Sequence, residues 1–268
     1  MEKKLNILTL AYFAFLILLF LSGMFSGVLS EVIYYLSFIL PVAVCLYLTR
    51  GDGVGWKKHL TIDKEGVMLS WPLVFPTISL IMLISYITSF IIFTLTGKTS
   101  SVDIGDSYLI ALITHALIPA IFEEALFRYL PMRLIGPHSP RCAIIVSALF
   151  FALVHGDLFS IPYAFIAGLV FMAIDLATDS IIPSVIIHFI NNALSVSLMF
   201  IPIPGIIFVV YIWIGLLTLA SAIIIKRSFE EYEIPLMLIT EKGEGVRITP
   251  NMIFFALITL SLAILNLL

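Results

Sequence analysis

The chain is a succession of long apolar runs, and that succession leaves few folds open to it. Nine runs follow one another, near residues 5–27, 29–49, 68–97, 108–135, 141–155, 158–177, 181–200, 203–225 and 250–268. A helix needs roughly 20 such residues to cross a hydrocarbon core about 30 Å thick. The fifth run is short for this and the ninth is the weakest. The expected fold class is all-α: a polytopic membrane helix bundle of eight to nine transmembrane helices, one integral membrane domain over 1–268.

Composition removes the competitors. Apolar residues make up 61% of the chain and charged residues 12%, against roughly 45–50% and about 25% in soluble proteins. A soluble domain of this size has no interior large enough to hide that excess. Disorder needs polarity, and nucleic-acid binding needs a basic balance, whereas 14 Lys and Arg face 17 Asp and Glu. Cys45 and Cys142 lie in separate apolar runs without CxxC spacing, and read as small buried hydrophobes. Lys3 and Lys4 before Leu5–Leu21 imitate a secretory leader. That run is too long and lacks a clean small-x-small cleavage site, so it reads as a retained first span.

Turn chemistry separates the runs: Gly51, Gly53 and Gly55, then Gly136-Pro137 and Ser139-Pro140, then Pro202 and Pro204. Lys226 to Arg247 reads as a surface loop with a short amphipathic element at Ile234–Ile239. Threading nine spans from a cytosolic N-terminus puts Lys3, Lys4, Arg50, Lys57, Lys58, Lys64, Arg128, Arg133, Arg141, Lys226, Arg227, Lys242 and Arg247 on the cytosolic side. Only Lys98 falls outside, a strong positive-inside bias.

Against this background the informative residues are ionisable groups within spans, each costing roughly 2.5–3.5 kcal/mol at a helix centre on insertion scales. The fourth run carries Glu123, Glu124 and Arg128, the fifth ends in Phe151 and His155, and the seventh holds His188, Asn191 and Asn192. Glu124 and Arg128 are four apart and share a helix face, so they can pair. Glu123 lies about 140° round the helix from Arg128 and is left to face something else. His188 and Asn192 again share a face, although Asn191 is almost as well placed. Phe151, one turn from His155, can shape the wall beside it.

Depth tests whether these groups meet. If the fourth helix continues to Ile135, Glu123 lies about 18 Å from its cytosolic end. By the same rise His155 lies about 21 Å beyond Arg141, and Asn192 about 16 Å beyond Ile181. All then occupy one slab near mid-membrane.

A desolvated carboxylate opposite a histidine has the parts of a general base for water, with Arg128 holding Glu124 fixed. A second histidine beside an asparagine amide supplies donors for a developing oxyanion. These are components of amide hydrolysis without a covalent nucleophile. Glu123, His155 and His188 could instead bind zinc, although the HExxH pattern is missing. Mid-membrane Glu, His and Arg also build proton relays, so a proton-coupled transporter is an alternative, weakened by the absence of a visible inverted repeat. Among the remaining groups, His115 reads as a satisfied core histidine and Asp157 as a solvent-facing helix end. Asp175 and Asp179 read as interfacial, Gly156 as a turn and Gly168 as a close-packing residue.

Glu-Glu-x-x-x-Arg at 123–128, Phe-x-x-x-His at 151–155 and His-x-x-x-Asn at 188–192 resemble the three motifs of the CAAX prenyl endopeptidase type II family. Its members are called intramembrane glutamic endopeptidases, and it includes bacteriocin-processing and self-immunity relatives. The resemblance covers about 108–200, and the ninth run departs from the eight spans usual in archaeal-type members. It implies a peptidase with catalytic Glu123, His155, His188 and Asn192, the first two activating water and the last two forming an oxyanion hole. Glu124 and Arg128 would support them, and the family's spacing chooses Asn192 over Asn191. The implied partner is a lipidated or membrane-embedded peptide in a lipid bilayer, with no nucleic acid and no cofactor. The site would open to the cytosol, from a plasma membrane in a prokaryote or the endoplasmic reticulum in a eukaryote. A non-catalytic immunity or scaffold role is the alternative within the resemblance.

Overall fold

The computed structural model describes residues 1–51, 55, 57–99, 105, 107–201, 203, 205–232, 245–246 and 248–267. Among them the regular structure is helical, in nine helices: α1 (Glu2–Gly23), α2 (Val28–Leu48), α3 (Lys64–Thr96), α4 (Tyr108–Leu134), α5 (Pro140–Leu153), α6 (Ile161–Thr178), α7 (Ile182–Phe200), α8 (Ile206–Tyr232) and α9 (Pro250–Leu267). Eight are long and apolar enough to cross a membrane; α5, with 14 residues, is not. The ninth run, the weakest in sequence, is an 18-residue helix. The chain is a polytopic, all-α integral membrane protein. The element expected at Ile234–Ile239 lies outside the described residues, as do Gly53, Pro202 and Pro204.

Sequence punctuates the helices where backbone chemistry requires it. Asp63 caps α3 by accepting from Gly66 N at 2.7 Å, and Ser139 caps α5 by accepting from Cys142 N at 3.2 Å. Pro140 follows Ser139 at the first turn of α5, where its missing N–H costs nothing. Gly156, at φ +65°, turns the chain from α5 towards α6. The two helices then pack closely, because a Cβ at Gly168 would come within 2.6 Å of Ala148 Cα. Both glycines therefore serve as their sequence context suggests.

An aromatic cluster joins α1, α4, α5 and α9. Tyr12 lies 5.1 Å from Phe127 and 4.5 Å from Phe150 between ring centroids, and Phe150 lies 4.6 Å from Phe255. Outward, leucine, isoleucine and phenylalanine side chains remain exposed along α1, α3, α8 and α9, the surface that lipid covers.

Helix ends sort onto two faces. On one, Asn251 donates to Asn6 at 3.2 Å, Arg133 to Gly55 O at 3.1 Å, and His59 pairs with Asp179 at 2.8 Å. On the other, Asn266 donates to Gly156 O at 2.8 Å, Lys98 meets the carbonyl of Leu267, and Tyr108 bonds Ser197 at 3.0 Å. These contacts fit the alternating thread expected from the charges, with Lys98 opposite the basic face.

Candidate active site

The fourth helix presents the carboxylates, and it is not a regular α-helix. It widens into π-turns at Ile113–Leu117 and Ala125–Tyr129, and a proline follows each turn by two residues: Pro119 and Pro131. Proline removes an N–H and crowds the carbonyl four residues earlier. For Pro131 that carbonyl belongs to Phe127, and it is not stranded. Ser147 Oγ, on α5, donates to it at 2.5 Å, and Arg128 Nη1 approaches it at 3.3 Å. Irregular backbone is tolerated at membrane depth when protein groups satisfy it in this way. The helix runs on to Leu134 despite Pro131, which the depth argument requires.

The adjacent glutamates then diverge. Glu124 is fully buried, with Oε2 at 3.0 Å from the equally buried Arg128 Nε. Its other oxygen, Oε1, lies 2.8 Å from His188 Nδ1. Arg128 donates to Ser147 Oγ at 3.2 Å, and its guanidinium carbon lies 4.3 Å from the centroid of the Phe151 ring and 5.4 Å from that of Phe171. A buried ion pair is tolerable only when its remaining lone pairs and protons find partners. Here His188 and Ser147 supply some of them and two aromatic rings face the guanidinium, while Arg128 Nη2 has no hydrogen-bond partner among the described residues.

Glu123 has no such commitment. It lines a cavity of about 990 Å³, and its Oε2 stands 3.9 Å from His188 Nε2. His155, Asn191 and Asn192 line the same cavity. His155 Nδ1 donates to Phe151 O at 2.7 Å, which fixes the tautomer and leaves Nε2 free. Glu124 likewise accepts from Nδ1–H of His188, so both imidazoles keep Nε2 for the cavity. Asn191 Nδ2 donates to Asn192 Oδ1 at 3.2 Å, leaving the amide N–H groups of Asn192 without a bond to it. All four residues expected to be catalytic thus share one cavity, and the two expected in support lie behind its wall.

Some expectations need correction. The charge pattern assigns Arg128 to the cytosolic side, but it has no exposure and belongs to the interior. Asp175 is not interfacial: it is fully buried and accepts from Ser184 N at 3.2 Å, whereas Asp179 does reach the surface. Both carboxylates lie near the end of α6, and only Asp175 is covered. Asp157 caps a turn by accepting from Ser160 N at 2.8 Å. His115 is half-buried on the cavity wall with no hydrogen-bond partner among the described residues, so it is not a satisfied core histidine. The Glu124–His188 bond and the roles of Ser147 and Ser184 join different helices, and no spacing within one run signals them. Among the described residues no three His, Cys, Asp or Glu side chains gather at metal-holding distances.

Glu, His and Asn side chains from α4, from the turn after α5 and from α7 thus wall one cavity within the membrane bundle. Residues 105–194, the segment carrying all three motifs, match the family described as Type II CAAX prenyl endopeptidase Rce1-like. No curated protein matches the chain. No solved structure matches it either.

Proposed function

We propose that the protein is an intramembrane glutamic endopeptidase that hydrolyses a peptide bond near the C-terminus of a lipidated or membrane-embedded substrate. The observation that carries this reading is the division of labour between the adjacent carboxylates: Glu124 is locked to Arg128 and His188, while Glu123 is open to the cavity. Glu123 removes a proton from water held between its carboxylate and His155 Nε2, and the hydroxide adds to the scissile carbonyl. Asn192 Nδ2 and a protonated His188 Nε2 donate to the oxyanion, with Glu124 balancing the imidazolium charge. Glu123 then delivers its proton to the leaving amine, closing the cycle.

The reaction is taken to run on water without a metal. Two ligands of one tetrahedral zinc, each about 2.0–2.2 Å from it, sit roughly 3.4 Å apart. Glu123 Oε2 and His188 Nε2 are 3.9 Å apart, wider than such a pair. The reading is tested with a farnesylated CAAX peptide incubated with purified wild type and Glu123→Ala, products being assigned by mass spectrometry. Wild type should release a C-terminal fragment and the variant none. Activity should survive chelation; stoichiometric zinc lost together with activity would overturn the metal-free route.

A further inference from the structure

The catalytic cavity extends well beyond Glu123. Along α4 it reaches Pro119, His115 and Thr114, and α7 contributes Ser195 and Met199. No Lys or Arg lines it, and its histidines are His115, His155 and His188. The latter two commit Nδ1 to Phe151 O and to Glu124. His115 alone among them has both ring nitrogens without a protein partner among the described residues.

Its placement depends on the first π-turn. Eight residues separate His115 from Glu123, which in a straight α-helix would set them about 80° apart. His115 sits within the π-turn Ile113–Leu117, closed by Ile118 N donating to Ile113 O. The wider turn takes back part of that angle, and both side chains reach one cavity. Wide turns of this kind inside helices are frequent at functional sites. Along the axis the two residues are about 12 Å apart. An extended peptide covers that distance with three or four residues at roughly 3.3–3.6 Å each.

From this we infer that His115 is a specificity-determining residue, anchoring the terminal carboxylate of a peptide whose scissile bond lies at Glu123, three or four residues upstream. The inference rests on the peptidase reading for the polarity of the substrate. Its chemistry is that of an anion met by an imidazole N–H in a cavity that no Lys or Arg lines. The anchor would make the enzyme measure from the chain end, favouring a free C-terminus over an internal or amidated one.

The test uses binding, which does not require turnover. Dansylated leucyl-isoleucyl-leucine is titrated, as the free acid and as the carboxamide, against the detergent-purified full chain. The free acid should bind wild type at least about tenfold more tightly, the scale of one hydrogen bond to a charged group. His115→Phe, which keeps the ring and loses the donor, should bring the ratio close to one. His115→Gln, which restores an N–H, should recover part of it. Equal affinity of wild type for the two probes, no binding of either, or a preference that survives in His115→Phe would overturn the assignment. An enzyme that prefers the acid but cleaves nothing would overturn the peptidase reading and leave the carboxylate site standing.

Discussion

Glu123 and Glu124 differ only in what surrounds them, and their variants should separate accordingly. Glu123→Gln should abolish cleavage with normal yield and thermal stability, because the side chain lines a cavity and holds nothing together. Cleavage at the wild-type rate by that variant would move the base to another residue. Arg128→Ala strands the Glu124 carboxylate in a dry interior at a cost of roughly 3–5 kcal/mol. Its first symptom should be low folded yield, measured by size-exclusion recovery, with activity falling in parallel. Asn192→Ala should lower kcat about 10²–10³-fold with KM little changed, the signature of a lost oxyanion donor, whereas Asn191→Ala should be mild. The reverse pattern would assign the donor to Asn191. At this scale the sequence was readable wherever partners lay on one helix. Glu124–Arg128 is an i,i+4 pair and Glu123 is the residue left over. His188 as the second partner of Glu124 was not readable, because 64 residues of chain separate the two. The burial of Asp175 escaped for the same reason: its hydrogen-bond partner Ser184 lies on α7, not on its own helix.

Among the elements, α4 shows which features of a helix a sequence carries. Its extent follows from the apolar run, and continuation past Arg128 follows from the requirement that Glu123 and His155 share a depth. Its two wide turns do not follow from periodicity, which treats every residue as a 100° step. The signal that could have marked them is the pair Pro119 and Pro131 inside one span, each demanding a new partner for a carbonyl one turn back. That logic gives a measurable coupling. Ser147→Ala removes the hydroxyl that Phe127 O accepts from, leaving a buried acceptor with only the longer Arg128 contact. The loss should destabilise the protein by about 1–3 kcal/mol. Pro131→Ala restores an N–H to the same carbonyl, so Ser147→Ala should cost clearly less in that background. A double-mutant cycle on thermal or denaturant unfolding checks this, and additive effects would mean that Pro131 does not free the Phe127 carbonyl.

For the molecule as a whole, the two-faced arrangement of helix ends gives orientation and pH response a common origin. The face carrying Asn6, Arg133 and Asp179 also gathers most basic side chains, so it should be cytosolic by the positive-inside rule. A single cysteine replacing His138, in the exposed turn after α4, should be labelled by an impermeant maleimide only after the cell membrane is opened. On that face a clasp ties the segment after α2 to the turn between α6 and α7. Asp179 Oδ1 lies 2.8 Å from His59 Nδ1, and His59 O accepts from Ile181 N at 3.0 Å. Two effects oppose each other at His59: burial lowers its pKa and Asp179 raises it, and burial is the larger. The ordering is physically reasonable because the Asp179 side chain is 67% exposed, so water screens its charge. His59 therefore stays neutral in the fold over a range where an unfolded imidazole, with a pKa of about 6.5, is protonated. The unfolded chain binds the extra proton there, so stability must rise with pH. The contribution of His59 is complete above about pH 6.5 and is lost as pH falls from there through the lowered folded value. Melting temperatures in detergent should accordingly drop on acidification below that point. His59→Gln keeps a donor for Asp179 without a titrating ring and should flatten this part of the profile. A wild type that instead gains stability on acidification, with the gain removed in His59→Gln, would show that the ion pair with Asp179 outweighs burial at this clasp.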